Sequence, residues 1–117
     1  MKAAPTPGKG AAAEALAARF LEAQGLRIVA RNFRCRGGEI DLIAAEGETL
    51  VFVEVRLRGN DRFGGAAASI DARKQARLQL AARAYLARCA AEPRCRFDAV
   101  LLRSLEVRDI AWLKDVI

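Results

Sequence analysis

The chain has 117 residues, a net charge of +6, and 16 arginines against 4 lysines. This length supports one domain with a single core, and no apolar run approaches the roughly 20 residues that span a bilayer. The absence of histidine excludes histidine-based catalytic triads, and without a Cys-x-x-Cys pair the sequence argues against structural zinc. The three cysteines and the lack of an apolar leader indicate reduced thiols and a cytoplasmic location without a membrane partner.

The excess of arginine has two interpretations. Arginine contacts phosphate through two parallel hydrogen bonds, so the composition favours a polyanionic partner. A genome rich in arginine and alanine codons would produce the same ratio. Composition alone therefore leaves a nucleic-acid partner open.

The first predicted elements are a tail and a helix. Residues 1–10 are rich in Gly, Pro and Ala and predict a flexible tail, so residues 11–117 are expected to form the single domain. Ala11–Gln24 carries apolar residues at helical spacing and predicts the first helix. Gly25 is a suitable helix stop.

Three strands and a loop are predicted next. The strands are Leu26–Phe33, Glu39–Ala45 and Thr49–Leu57, and a short turn containing Gly47 joins the last two. Frequent glycines from Arg58 to Ser69 predict a mobile loop.

A second helix and two further strands complete the chain. Asp71 is the predicted N-cap of a long helix that runs to about Ala90. The fourth and fifth strands are predicted over Arg96–Arg103 and Val107–Leu113, and Asp98 within the fourth is expected to cap or to pair with an arginine. The order α-β-β-β-α-β-β predicts an α/β fold in which helices pack against a central mixed sheet.

Charged side chains interrupt the apolar runs of the second and third strands. Such charges are costly unless they are paired, bind a metal or face an open site. Period-two alternation predicts that Glu54 and Arg56 share a face. On the second strand the same alternation predicts that one face carries Ile40, Leu42 and Ala44. The opposite face is predicted to carry Glu39, Asp41 and Ile43. Since the two strands are antiparallel neighbours, a suitable register brings Asp41 beside Glu54.

Two converging carboxylates repel each other unless a cation lies between them. Ligation by oxygen alone suits Mg²⁺ or Mn²⁺, and a nearby basic side chain would hold phosphate or water. The pattern therefore predicts a site for metal-assisted phosphodiester hydrolysis at Asp41 and Glu54. The alternative is a solvated sheet face on which Glu54 and Arg56 pair with neighbouring charges such as Glu39.

Several separated motifs resemble one known family. Gly38–Ile43, Val51–Arg56, Lys74-Gln75 and Cys95–Asp98, in this order, resemble the bacterial YraN family of uncharacterised proteins. The resemblance covers the chain from Ala11 to its C-terminus. That family is similar to the archaeal-type Holliday-junction resolvases of the restriction-endonuclease-like superfamily. The resemblance thus implies a restriction-endonuclease-like central mixed sheet flanked by helices.

The resemblance also implies roles for individual residues. Asp41 matches the acidic residue of the second core strand, Glu54 opens the acidic-x-Lys signature, and Glu14 matches a glutamate on the first helix of resolvases. These three carboxylates are the implied ligands of Mg²⁺ or Mn²⁺, with Glu39 and Lys74 as accessory residues. The implied substrate is DNA rather than RNA, with branched or junction DNA as one candidate. The implied assembly is a homodimer, because two symmetric nicks need two sites.

Arg56 departs from the signature, which has lysine at this position. A guanidinium stays protonated, since its pKa exceeds ~12, so Arg56 cannot act as a general base. It can still orient phosphate and stabilise developing charge. Lys74 is an alternative source of an ammonium group.

A basic cluster lies around the start of the second helix. Arg62, Arg73, Lys74 and Arg77 are predicted to contact a nucleic-acid backbone, and a solvated helix face is the alternative. The leading hypothesis is a metal-dependent DNA nuclease with Glu14, Asp41, Glu54 and Arg56 as its catalytic residues. A non-catalytic nucleic-acid-binding module on the same fold and an interaction or adaptor protein are the alternatives.

Overall fold

The computed structural model describes residues 9–57 and 71–117. Over these residues the chain forms two α-helices, five strands and one 3-10 turn, namely α1 (Lys9–Ala23), β1 (Arg27–Cys35), β2 (Gly38–Glu46), β3 (Thr49–Leu57), α2 (Ala72–Leu86), β4 (Arg94–Leu102), the 3-10 turn (Val107–Asp109) and β5 (Ile110–Leu113). This order confirms the predicted α/β arrangement. The loop predicted over residues 58–69 and most of the predicted tail lie outside the described residues, but Lys9 and Gly10 of that tail begin α1.

The five strands form one mixed sheet in the order β1-β2-β3-β4-β5. The pairs β1–β2, β2–β3 and β4–β5 are antiparallel, as expected for strands joined by short connections. The pair β3–β4 is parallel, and α2 lies between these strands in the sequence. A parallel pair needs a crossover connection, and α2 provides the helix of that connection.

The helices cover the sheet on opposite faces and create two cores. The α1-side core contains the buried residues Ala13, Leu16, Ala17, Ala18, Leu21, Leu26, Leu42, Ala44, Val51, Val53, Val100 and Leu102. The α2-side core contains Ile40, Ile43, Phe52, Leu78, Ala81, Ala82 and Ala99. Successive residues of β3 enter different cores, as the predicted alternation requires. None of the helices in the described ranges has the length and apolar character needed to cross a membrane.

Several predicted element boundaries were wrong, and β4, for example, begins at Arg94 and not at Arg96. β1 continues to Cys35, so its connection to β2 shortens to Arg36 and Gly37. α2 ends at Leu86, because the chain turns there and Arg88 stacks on the rings of Phe33 and Tyr85. The predicted fifth strand loses its first three residues to the 3-10 turn, in which the Asp109 N–H donates to the Glu106 carbonyl.

Gly38 allows α2 to lie directly against β2. A Cβ at Gly38 would overlap the carbonyl oxygen of Arg77 and approach the Ala81 nitrogen to 3.0 Å. The hydrogen-only side chain therefore lets the helix backbone rest on the start of the strand. This close contact sets Arg77 and its neighbours on α2 beside the first residues of β2.

Asp98 is a buried carboxylate that ties β4 to the end of the chain. It is 1% exposed and accepts hydrogen bonds from the Arg96 guanidinium, from Trp112 Nε1 at 2.9 Å and from the Asp115 N–H at 2.9 Å. Arg96 also binds Glu46 at 2.7 Å. The predicted pairing of Asp98 with an arginine is confirmed. The buried carboxylate has a structural role, because it holds β4 to the end of the chain.

Candidate functional site

β2 and β3 stop pairing at the point where their charged residues begin. Their pairing runs from Glu46 and Thr49 to Leu42 and Val53. Beyond that point, the start of β2 continues to pair with β1, and the end of β3 continues to pair with β4. The two strands therefore part, and an open cleft of about 360 Å³ lies there.

Charged side chains from three elements line this β2–β3 cleft. They are Glu39 and Asp41 from β2, Glu54 and Arg56 from β3, and Lys74 and Arg77 from α2. The apolar lining comes from Val55 and Leu78. Six residues that the sequence singled out are thus brought together by the fold.

The remaining predicted residues lie elsewhere. Arg73 is exposed on α2 and does not line the β2–β3 cleft. Arg62 lies outside the described residues. Glu14 projects from α1, the helix on the other face of the sheet, and is also absent from the cleft lining.

Asp41 is fixed by a backbone hydrogen bond where the strands part. Its Oδ2 atom accepts from the Val55 N–H at 2.8 Å. The carboxylate thus occupies the place that a backbone carbonyl would hold if the ladder continued. One oxygen of Asp41 is therefore committed to the fold.

The alternation predicted for β2 was wrong at Ile40. Ile40 packs with Ile43 in the α2-side core, whereas Leu42 packs in the α1-side core. The alternation breaks at Asp41, whose side chain reaches along the sheet toward the backbone of β3. On β1 the residue between the pairing partners of Leu42 and Ile40 is Asn32, which has a positive φ of 50°. Both strands are therefore irregular at this level.

The pKa of Glu54 is raised from 4.5 to about 8. Burial is the largest cause, followed by a hydrogen bond with Asp41 that favours the protonated form and by the negative charge of Asp41. The Arg56 guanidinium opposes this shift. Asp41 and Glu54 thus lie close enough that a proton or another cation between them is favoured.

Glu14 approaches Asp41 from the α1 side. Burial and then the charge of Asp41 raise the pKa of Glu14, while a hydrogen bond with Asn32 lowers it. Within residues 9–57 and 71–117, however, the side chains form no group of three or more His, Cys, Asp or Glu residues arranged to hold a metal. The carboxylates of Asp41 and Glu54, without a third ligand in place, are the donor set that the cleft offers.

Arg56 contributes a polar atom that lacks a partner. Its Nε atom is buried and makes no hydrogen bond to the described residues. Buried N–H groups are nearly always paired in folded proteins, so an unpaired one on a residue that lines a cleft points to a function for that residue. The guanidinium of Arg56 beside the carboxylates is suited to a phosphate oxygen.

Glu39 is held by two arginines at the rim of the cleft. Its carboxylate lies 3.7 Å from Arg34 Nε and 3.5 Å from Arg77 Nη2. Arg34 is a charged neighbour of the site that sequence reasoning missed. The signal was the hairpin itself, because a two-residue turn at Arg36-Gly37 sets Arg34 directly opposite Glu39.

A family model described as "Uncharacterised protein family UPF0102" matches residues 13–102. A UPF0102 protein of Nitrosomonas europaea is 53% identical over 107 residues, which cover 92% of this chain and 91% of the relative. One from Methylobacillus flagellatus is 54% identical, with 88% and 90% covered. One from Burkholderia pseudomallei is 57% identical, with 92% and 74% covered.

Proposed function

The chain belongs to the uncharacterised UPF0102 family, the family of the YraN proteins, and we propose that it hydrolyses phosphodiester bonds in DNA with a divalent metal ion. The observation that carries this proposal is the pairing of Asp41 and Glu54 inside a cleft that also holds Arg56, Lys74 and Arg77. Carboxylates side by side favour a cation, and the basic groups around them favour an anion. A metal ion and a phosphate together satisfy both.

The donor set fits Mg²⁺ or Mn²⁺. These ions are bound through one or two carboxylates, with waters and substrate phosphate in the remaining positions. Asp41 and Glu54 would hold the ion, and Glu14, whose pKa the charge of Asp41 helps to raise, would add negative charge close to them. When bound, such an ion supplies a water of lowered pKa and polarises a phosphoryl oxygen.

The residues of the chain have separate tasks in this proposal. Asp41 is oriented by the Val55 N–H, so its position is set before any ligand arrives. Arg56 lines the cleft, and its guanidinium would bind a phosphate oxygen and stabilise the charge that develops there. Lys74 and Arg77 hold the neighbouring phosphates of the DNA backbone against the cleft. The raised pKa of Glu54 predicts that a metal ion competes with a proton for this carboxylate.

A cleavage assay tests the proposal. The purified protein is incubated with duplex, single-stranded and four-way-junction DNA in Mg²⁺, Mn²⁺ or EDTA. We expect metal-dependent cleavage that is lost in the double variant Asp41→Asn and Glu54→Gln. Glu48→Gln is the matched control, because Glu48 is an exposed carboxylate in the turn at the far end of β3. Cleavage that survives the double substitution would place the chemistry elsewhere.

A non-catalytic nucleic-acid-binding module is the second candidate. The observation that favours it is Arg56, since a permanently protonated guanidinium can bind phosphate but cannot take a proton from water. DNA binding that weakens with salt, together with intact substrates in every metal, would support this candidate over the nuclease. Arg56→Lys separates the two further, because a nuclease limited by the arginine should gain activity.

The homodimer is a separate proposal. It rests on the likeness to resolvases and on the need for two sites to make two symmetric nicks. Sedimentation velocity at several protein concentrations, with and without four-way-junction DNA, tests it. A monomer at all concentrations in both conditions would contradict it.

A further inference from the structure

Two guanidinium groups from different elements converge on one anion at the rim of the β2–β3 cleft. Arg34 projects from the edge strand β1 and Arg77 from α2, and the Glu39 carboxylate lies between them. Each arginine faces a different oxygen of that carboxylate, Arg34 facing Oε2 and Arg77 facing Oε1. The arrangement is that of an anion held between two cations.

The contacts are looser than those of the structural ion pairs in this protein. The two distances are 3.7 and 3.5 Å, whereas Arg96 binds Glu46 at 2.7 Å. The side chains of Arg34, Arg77 and Glu39 are 75%, 52% and 46% exposed. Exposed ion pairs with such separations add little to folding stability. The free energy of folding therefore gains little from having two arginines at this one point.

We infer that Arg34 and Arg77 form a clamp for a phosphate of the DNA backbone, and that Glu39 fills this clamp in the free protein. A phosphate offers more oxygens than a carboxylate and can accept from both guanidinium groups at hydrogen-bonding distance. Glu39 then acts as a competitor that the substrate displaces. The inference rests on the proposed DNA substrate but not on cleavage, and it adds Arg34 on β1 to the binding surface.

The location of the clamp supports a role in substrate binding. Arg77 lines the β2–β3 cleft together with Arg56 and the paired carboxylates, so the clamp adjoins the proposed reaction site. Arg34 carries the basic surface across the rim to the edge strand, where Arg31 is also exposed. A DNA strand held at the clamp would therefore continue from β1 over the mouth of the cleft.

Equilibrium binding in EDTA tests the inference without any contribution from catalysis. The full chain is titrated into a fluorescent DNA duplex at several salt concentrations, and anisotropy gives the affinity. We expect Arg34→Gln and Arg77→Gln each to weaken binding about tenfold. Each should also reduce the slope of log K against log salt by about one, because one phosphate contact is lost.

Glu39→Gln gives the opposite expectation. Removing the competing charge should tighten binding several-fold, and a misfolded variant could not produce that gain. Arg108→Gln is the matched control, since Arg108 is an equally exposed arginine paired with Glu106 in the 3-10 turn. Arg108→Gln should change the affinity for DNA only by the small amount expected when one charge far from the clamp is removed.

Two results would overturn the inference. One is an Arg34→Gln variant whose affinity and salt slope equal those of Arg108→Gln. The other is weaker binding by Glu39→Gln. Cleavage is scored separately in Mg²⁺ and Mn²⁺, so the two proposals can fail independently. Binding that depends on Arg34 without any cleavage would contradict the nuclease and support the clamp. Metal-dependent cleavage by a protein whose Arg34→Gln variant binds DNA like Arg108→Gln would support the nuclease and contradict the clamp.

Discussion

Glu54 is a carboxyl group whose protonated form the fold favours. Its folded pKa of about 8 lies above its ordinary value of 4.5. Between these values the folded chain holds a proton that the unfolded chain releases. The free energy of unfolding should therefore fall as the pH rises from about 4.5 to 8. A side chain that destabilises the fold when it is charged is typical of a functional site.

Glu54→Gln should remove this pH dependence, because the amide resembles the protonated acid. We expect the variant to exceed the wild type by about 1–2 kcal/mol in unfolding free energy at pH 8.5, after allowing for solvent screening of a half-buried group. At pH 4 the two proteins should have nearly equal stability. Urea denaturation at both pH values measures the difference. Glu48→Gln should show no such dependence, and an equal gain for Glu54→Gln at both pH values would contradict the raised pKa.

Asp98 carries the opposite kind of buried charge, one that the fold satisfies. Asp98→Ala should lower the unfolding free energy by about 3 kcal/mol or more, since it strands Arg96 and leaves Trp112 Nε1 and the Asp115 N–H without their acceptor. Glu106→Gln breaks an exposed pair and should cost less than about 0.5 kcal/mol. Chemical denaturation compares them, and similar losses for both would show that burial does not decide the cost.

At the scale of single residues the sequence predicted more of the cleft than of its rim. Asp41, Glu54 and Arg56 interrupt apolar runs, and a charge at such a position draws attention by its cost. Arg34 belongs to a strand in which charge is ordinary, because β1 is an exposed edge. Its proximity to Glu39 depends on a turn length that was predicted too long. Only the register of the β1–β2 pairing shows that Arg34 lies opposite Glu39.

Among the elements, α2 is positioned by its contact with a single glycine. Gly38→Ala should lower the unfolding free energy by about 2–4 kcal/mol, because the added methyl group would overlap the α2 backbone at Arg77. It should also weaken DNA binding, since Arg77 and Lys74 move with the helix. Denaturation and anisotropy measure the two effects.

Gly10→Ala is the control for this prediction. Gly10 lies in α1, where an added Cβ would meet no atom of the described residues within 4 Å beyond its own stretch of helix. Alanine favours helix over glycine by about 1 kcal/mol, so this variant should be neutral or slightly more stable. If Gly38→Ala behaved the same way, α2 would not depend on close contact at that position.

The elements themselves could largely be predicted, because each has its own local signal. The helical period identified α1 and α2, and alternation with turn residues identified β1 to β4. Local signals could not predict where α2 ends, since Arg88 leaves the helix for aromatic rings that come from a distant strand and from α2 itself. The irregularity at Asp41 was hidden for the same reason, because it depends on a bond to Val55 across the sheet.

For the whole molecule, metal binding and folding should be linked. A ligand that binds only the folded state stabilises it, by about 2.7 kcal/mol at a concentration 100 times its Kd. Mn²⁺ should therefore raise the unfolding free energy of the wild type at pH 8.5, where the metal competes with fewer protons for Glu54. The double variant Asp41→Asn and Glu54→Gln should not respond. Denaturation with and without Mn²⁺ measures this, and an equal response of the variant would exclude these carboxylates as ligands.

The two cores on either side of one sheet explain why the fold class could be predicted from the sequence. A chain that alternates apolar residues along its strands and carries two amphipathic helices must cover both faces of the sheet. Strand order and the position at which β2 and β3 part were not predictable in this way. They follow from which backbone groups pair across the sheet, and several arrangements would satisfy the same pattern.

The hydrogen bond from the Val55 N–H to Asp41 gives one carboxylate two separate reasons to exist. If the cleft has the proposed function, a relative that had lost it would still need an oxygen acceptor at position 41 to receive the Val55 N–H. Position 54 has no such protection, because its ionised side chain burdens the fold. On the proposed function, a carboxylate at position 54 should therefore distinguish relatives that retain the activity, whereas an acceptor at position 41 should be found in every relative with this strand arrangement.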